Sequence, residues 1–226
     1  MSATEFFSLT NFNITGYFYT NTPLFNAVKV EDRCSGAISR VLALIMLIIF
    51  SPLLLTVAAV IKLSSNGSVF YKQVRVGKDG KEFEIIKFRT MFTDAEAKTG
   101  AVLATKDDVR VTKVGKLLRK SHIDELPQLL NVLRGEMVFI GPRPERPVFV
   151  NDYDESIPNY TKRKLVKPGI TGFAQICLPY DAVAKEKIVY DSFYIDNKES
   201  LLFNVMICYY TVKKMVFFKS FAELSA

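Results

Sequence analysis

Two adjacent carboxylates, Asp124-Glu125, draw attention because basic residues gather on both sides of them. Arg119 precedes them, and Gly141-Pro142-Arg143-Pro144 follows with Glu145 and Arg146 behind it. Further upstream stands Lys87-Phe88-Arg89-Thr90. Acids and arginines converging on one place suit phosphoryl chemistry. The planar guanidinium matches phosphate oxygens and neutralises charge that develops on them. A carboxylate can hold Mg²⁺, take a proton or attack phosphorus itself, and spacing does not choose among the three. Pro142 and Pro144 would stiffen the loop that aims Arg143. The competing reading is a solvated, salt-bridged face, the usual fate of acids beside lysines.

Other candidates are thinner. Asp152-Tyr153-Asp154 has the pattern of a metal-binding acid pair, but it lies in a polar stretch that reads as a solvated loop. Lys167-Pro168-Gly169 reads as a turn. Tyr190-Asp191 either contacts substrate or simply packs and hydrogen-bonds. His122 is the single histidine, which excludes a multi-histidine metal site and a histidine-based triad. Cys34, Cys177 and Cys208 show no CxxC or metal-ligand spacing and read as reduced structural thiols.

These residues need elements to position them. A chain of 226 residues fits one domain, or one domain with a membrane element. Its 49% hydrophobic content is high for a small soluble domain and directs the search to a membrane segment. Val41 to Ile61 carries no charge and would be roughly 30 Å long as a helix, enough to cross the hydrocarbon layer. Ser51-Pro52 sits near its middle, where proline removes a backbone donor and should kink or break the helix. Both flanks are basic, with Arg33 and Arg40 before and Lys62, Lys72 and Arg75 after, so charge gives no orientation. An ordinary kinked span and a re-entrant helix both remain open on these residues.

The preceding arm carries Phe6, Phe7, Phe12, Tyr17, Phe18, Tyr19 and Phe25 without the features of a signal peptide. It is either an interfacial segment or a loosely packed tail. Val69–Val76 and Lys81–Met91 read as a hairpin around Gly77-Lys78-Asp79-Gly80, a turn composition that either cradles phosphate or only reverses the chain. Lys116 to Ser121 ends a helix whose basic face holds Lys113, Lys116, Arg119 and Lys120. A short helix follows at about Pro127–Arg134, closed by Gly135, with Asp124 and Glu125 just before its N-terminus. Backbone donors collect there and favour anions. Leu201 to Phe221 is either an interfacial amphipathic helix or a core helix.

The net charge of +7 calls for an anionic partner. Nucleic acid is not expected, because zinc-finger spacing, an RNP-like signature and an arginine-rich tail are all missing.

Taken in order, several segments resemble the bacterial sugar transferase family, the monotopic phosphoglycosyl transferases (undecaprenyl-phosphate sugar phosphotransferases). They are Phe70-Tyr71-Lys72-Gln73-Val74-Arg75-Val76-Gly77, Lys87-Phe88-Arg89-Thr90-Met91, and Ser121-His122-Ile123-Asp124-Glu125-Leu126-Pro127-Gln128 running on to Asn131-Val132-Leu133-Arg134-Gly135. Ile140-Gly141-Pro142-Arg143-Pro144, Lys167-Pro168-Gly169-Ile170-Thr171-Gly172-Phe173-Ala174-Gln175 and Tyr190-Asp191 through Tyr194-Ile195 complete the set, which covers roughly residues 33–215.

The resemblance implies a mixed α/β, mainly helical fold. Behind an arm at 1–32, a re-entrant membrane helix broken at Ser51-Pro52 occupies 33–64. A small cytosolic catalytic domain with a short β-hairpin and interfacial amphipathic helices fills 65–226. It implies transfer of a sugar 1-phosphate from a UDP-sugar to polyprenyl (undecaprenyl) phosphate, with UMP released and Asp124 as the covalent nucleophile. Glu125 is a metal ligand or a proton-handling partner, and Asp124 and Glu125 are the implied Mg²⁺ ligands. Arg119 and Arg143 match phosphate-binding arginines, with Lys87 and Arg89 beside them. Pro142, Pro144 and Gln175 belong to the substrate loop. The implied setting is the cytoplasmic face of the bacterial inner membrane, in contact with membrane lipid, and a homodimer is compatible with it.

Two departures are visible: His122 stands where relatives tend to carry a small or apolar residue, and the short arm suggests a minimal catalytic form or an excised core. Two other functions compete. One is a glycosyltransferase that passes sugar without phosphate and releases UDP. The other is a non-catalytic module binding anionic lipid.

Overall fold

A computed structural model describes residues 32–93, 95, 108–179 and 181–217, with residues 32–35 and 216–217 by backbone alone. The aromatic arm, the Cys34 side chain and the end of the C-terminal apolar run lie outside the described residues. Helix α1 spans Asp32–Ser64. Strands β1 (Phe70–Val76) and β2 (Glu82–Phe88) form an antiparallel hairpin. Helix α2 (Lys113–Lys120) leads into a 3₁₀ turn, Ile123–Gln128, and then helix α3 (Leu129–Arg134). Strand β3 (Val138–Ile140), helix α4 (Pro147–Ser156), a second 3₁₀ turn at Tyr160–Leu165 and strand β4 (Gly169–Thr171) come next. Helices α5 (Phe173–Cys177), α6 (Ala184–Asn197) and α7 (Leu201–Phe217) complete the fold.

The sequence predicts a kink or a break at Ser51-Pro52; α1 runs through the pair without a break. Proline cannot donate to the carbonyl four residues back, which is Ile48. The Ser51 hydroxyl donates to that same oxygen at 2.8 Å and fills the gap. Hydroxyls re-satisfy freed backbone groups in this way where no water is at hand.

One narrow stripe of α1 faces the rest of the protein. Ser39, Ala43, Met46, Leu47, Phe50, Leu54, Val57 and Ile61 recur at helical spacing and are buried or half-buried. Ala43 packs with Ile85, Leu129 and Val132, while Val57 and Ile61 pack with Phe88 and Leu118. Both halves therefore dock on the same body. The opposite face is bare: Ile48 is 66% exposed, Ile49 64% and Leu55 71%. By length and composition this helix is long and apolar enough to cross a membrane.

The hairpin falls where the sequence places it, with Phe70 opposite Phe88 and Val76 opposite Glu82. Asp79 at φ 58° and Gly80 at φ 73° close the turn. The short helix ends at Gly135 as expected, in the left-handed conformation at φ 80°. Strands β3 and β4 pair in parallel, Val138 with Gly169 and Ile140 with Thr171. This pair brings two distant motifs together. A Cβ on Gly141 would lie 2.6 Å from the Lys167 carbonyl oxygen, so the backbones meet at a distance only glycine allows. A second core, centred on Phe173, Tyr190, Tyr194, Phe203 and Ile207, locks α5, α6 and α7 together. The Tyr194 hydroxyl donates to the Ile140 carbonyl at 2.8 Å and ties that core to β3.

Candidate active site

Lys87 is the last but one residue of β2, Asp124 and Glu125 ride the 3₁₀ turn after α2, and Arg143 follows β3. Three local devices bring them together. Thr112 caps α2, its hydroxyl accepting from the Gly115 amide at 2.9 Å. His122, left-handed at φ 56°, stops α2 and swings the chain into the turn. Asn131 is fully buried. Its Oδ1 accepts from the Ile86 amide at 3.0 Å and its Nδ2 donates to the Glu84 carbonyl at 2.7 Å, which clamps β2 against α3. Histidine is among the residues that tolerate the left-handed region, which accounts for His122 at this position.

The two carboxylates have different surroundings. Glu125 is held on both oxygens: Oε1 accepts from Lys87 Nζ at 2.8 Å and from Arg143 Nη2 at 2.5 Å, and Oε2 from Arg143 Nη1 at 3.3 Å. Burial opposes its ionisation, but Arg143 and Lys87 outweigh burial and hold it well below the usual carboxylate range. Asp124 is 8% exposed, and no hydrogen bond reaches its carboxylate from the described residues. Burial first, then the charge of Glu125, pushes it up to about 6, with Lys87, Arg119 and Arg143 pulling the other way. At neutral pH Asp124 is thus an ionised, unclamped carboxylate among cations. Burial lowers the Lys87 ammonium despite Glu125, and burial lowers His122 likewise, leaving the imidazole neutral near pH 7.

Arg119 hangs from the last turn of α2, its Nε donating to the Thr90 hydroxyl at 2.9 Å. Arg89 is committed elsewhere. Its guanidinium donates to the carbonyls of Asn66 and Ser65 at 2.9 and 2.8 Å, fastening the end of α1 to β2. Pro142 and Pro144 are buried in the Arg143 loop. Gln175 donates from Nε2 to the Ile170 carbonyl at 2.9 Å, while its buried Oε1 lacks a partner. An open cleft joins Lys87, Arg119, Asp124, Glu125, Arg143 and Gln175. Leu42 and Met46 of α1 and Val212 and Met215 of α7 line the same cleft, so it is apolar where it meets the bare helix. Ser51 and Pro52 sit on the exposed side of α1, away from this chemistry.

Residues 31–218 match the family described as "Bacterial sugar transferase". The chain belongs to that family. Over 177 residues, 77% of this chain and 41% of the relative, it is 47% identical to the UDP-N-acetylgalactosamine-undecaprenyl-phosphate N-acetylgalactosaminephosphotransferase of Aeromonas hydrophila. It is 41% identical over 211 residues (91% of the chain, 43% of the relative) to the UDP-glucose:undecaprenyl-phosphate glucose-1-phosphate transferase of Escherichia coli K12. It is 40% identical over 174 residues (74% of the chain, 86% of the relative) to the exopolysaccharide production protein PSS of Rhizobium leguminosarum. The chain thus spans about two fifths of the length of the first two.

Some site-building residues escape the sequence reading. Four successive carbonyls of the Arg143 loop are captured by groups from elsewhere. Pro142 accepts from the Gly169 amide at 3.0 Å, Arg143 from Arg163 Nη2 at 2.5 Å, Pro144 from Arg75 Nη1 at 3.1 Å and Glu145 from the Val76 amide at 3.0 Å. Arg75 lies in the segment Phe70-Tyr71-Lys72-Gln73-Val74-Arg75-Val76-Gly77, but no local signal marks Arg163. Asp154 pairs with Lys164, and Asp152-Tyr153-Asp154 lies on α4, which the sequence reads as a loop.

Proposed function

We propose that this chain moves a sugar 1-phosphate from a UDP-sugar to polyprenyl phosphate. The observation that supports it most is the division between the two acids. Glu125 is clamped by Lys87 and Arg143, while Asp124 beside it is ionised at neutral pH and unclamped. An Asp124 oxygen attacks the β-phosphorus of the donor. The bond from that phosphorus to the bridging oxygen breaks, and UMP leaves with the bond's electrons. The phosphosugar is then held on Asp124 as an acyl phosphate. A polyprenyl phosphate oxygen attacks the same phosphorus and displaces the Asp124 carboxylate, giving polyprenyl diphosphosugar. One phosphoanhydride replaces another, so no further energy source is needed. Lys87, Arg119 and Arg143 neutralise anions that would otherwise repel each other.

Mg²⁺ belongs to this proposal. No group of three or more ligating side chains occurs among the described residues. Asp124 and Glu125 would hold the ion, with the donor's diphosphate and water completing its shell, the habit of Mg²⁺ at phosphate sites. Bound there, it supplies further charge neutralisation.

The membrane arrangement is part of the same reading. Helix α1 enters the cytoplasmic leaflet and returns with a bend at Pro52, so that residues 65–226 stay on the cytoplasmic side. The support is that both halves of α1 pack on one body. Helix α7 lies in the interface, with Leu201, Val205, Tyr209 and Val212 outward. The acceptor phosphate would then meet Asp124 at headgroup depth.

The test incubates the purified chain, Mg²⁺ and a panel of UDP-sugars with and without polyprenyl phosphate. UMP and lipid diphosphosugar are expected. A stoichiometric burst of UMP without lipid, lost in Asp124→Asn, is expected for the covalent step. Release of UDP would overturn the proposal in favour of a glycosyltransferase.

A further inference from the structure

Asp191 lies on α6, outside the catalytic centre, and is 2% exposed. Its Oδ2 accepts from Arg163 Nε at 2.9 Å. The same guanidinium donates from Nη1 to the Tyr160 hydroxyl and from Nη2 to the Arg143 carbonyl at 2.5 Å. Each nitrogen of Arg163 thus has its own partner, and the Arg163 charge also lies 5.0 Å from the Tyr160 ring centre. Three separate pieces of chain, the Tyr160–Leu165 turn, α6 and the Arg143 loop, meet at one planar group.

A buried ion pair is a poor device for stability, because desolvation cancels most of the attraction. It is a good device for fixing geometry, since a guanidinium held at three points cannot rotate. The group that this one fixes is the backbone of Arg143, whose side chain reaches Glu125. Proline flanks Arg143 on both sides, so the loop offers few amides of its own to anchor it.

We propose that Asp191 is a positioning residue that, through Arg163, aims Arg143 at Glu125. The proposal rests on the transferase reading for its kinetic consequence, but its geometric consequence stands apart from activity.

The test uses the full chain in lipid nanodiscs. Asp191→Asn keeps the shape of the side chain and removes the charge. Transfer is expected to slow in kcat by about 10–100-fold, the usual cost of losing a group that orients a site residue, with KM for the UDP-sugar nearly unchanged. In an Arg143→Ala background the same change should cost less than about twofold, because the group it positions is gone. In protein labelled with ¹⁵N-arginine, the Nε–H resonance of Arg143, assigned by its loss in Arg143→Lys, should shift in Asp191→Asn. Tyr160→Phe is a second variant should Asp191→Asn fail to fold. It removes one of the three anchors and should move the same resonance by less. An equal loss of activity in both backgrounds, or an unmoved Arg143 resonance, would overturn the proposal. A wild-type chain that transfers no sugar phosphate would overturn the transferase reading, and the resonance would still decide the role of Asp191.

Discussion

Two proline-bearing segments of this chain solve one problem in opposite ways. In each, proline removes a backbone donor, and a group from outside the regular backbone pattern donates to a nearby carbonyl. Inside α1 the repair is local: Ser51, next to Pro52, donates to the orphaned Ile48 oxygen. In the Arg143 loop the repair is remote, with Arg163 and Arg75 supplying donors to the Arg143 and Pro144 carbonyls. The local repair keeps a helix whole and asks nothing of the fold. The remote repair makes the loop's shape depend on α6, β1 and a 3₁₀ turn, and so couples the aim of Arg143 to the whole domain. A long apolar helix keeps its backbone satisfied by a neighbour in sequence, whereas the direction of Arg143 is set by residues far away in the chain.

Experiments can break this comparison, beginning with the loop's purpose. Asp124→Asn should lower turnover by roughly a thousandfold or more while membrane association persists, since on the proposed mechanism it removes the nucleophile and with it the first step. Near-normal UMP release from that variant would leave the loop with nothing to aim at. Arg143→Ala should cost about 10²–10³-fold in kcat, as for loss of a donor to developing charge. A change confined to KM would make Arg143 a simple binding contact.

The same aspartate makes a stability prediction whose sign follows from burial. Its folded value of about 6 lies above the ordinary 3.8, so the folded state resists deprotonation. Ionisation of Asp124 costs nothing well below the ordinary value of 3.8, and its full cost is present above pH 6. Asp124→Asn in metal-free protein should therefore raise stability at pH 7.5, by about 1–3 kcal/mol. The gain should fade as the pH approaches 4, as read from melting temperatures at the two pH values. A gain independent of pH would exclude charge burial as its cause.

The smallest effect tests the local repair. Ser51→Ala should cost about 1 kcal/mol in the wild-type helix, the net worth of one hydrogen bond. In a Pro52→Ala background it should cost almost nothing, because the backbone amide that the substitution restores would serve Ile48. Equal costs in both backgrounds would show that Ser51 acts in some other way.

Much of the site was legible where chemistry is dense in sequence. Asp124-Glu125, the hairpin around Gly77-Lys78-Asp79-Gly80 and the helix end at Gly135 follow from side-chain types and turn residues at short range. Arg89 was legible only as a charge, and the fold spends that charge on the Ser65 and Asn66 carbonyls. The pairing of β3 with β4 was not legible, because three-residue strands carry too little pattern to announce a partner. Helix α4 was missed for a similar reason: its polar Asn151-Asp152-Tyr153-Asp154 stretch hides a helix that tertiary packing of Val150 supports.

By itself the sequence determined which atoms are available: a pair of acids, a set of arginines, an uncharged helix and a serine beside its proline. Those are properties of residues and their immediate neighbours, set by covalent geometry and helical period. Only the tertiary structure decided which acid is clamped and which is left unclamped. That choice depends on Lys87 and Arg143 reaching Glu125, and on Arg163 and Asp191 meeting behind them. Each of these contacts joins residues far apart in the chain, where no local preference operates and the packing of whole elements sets the distance.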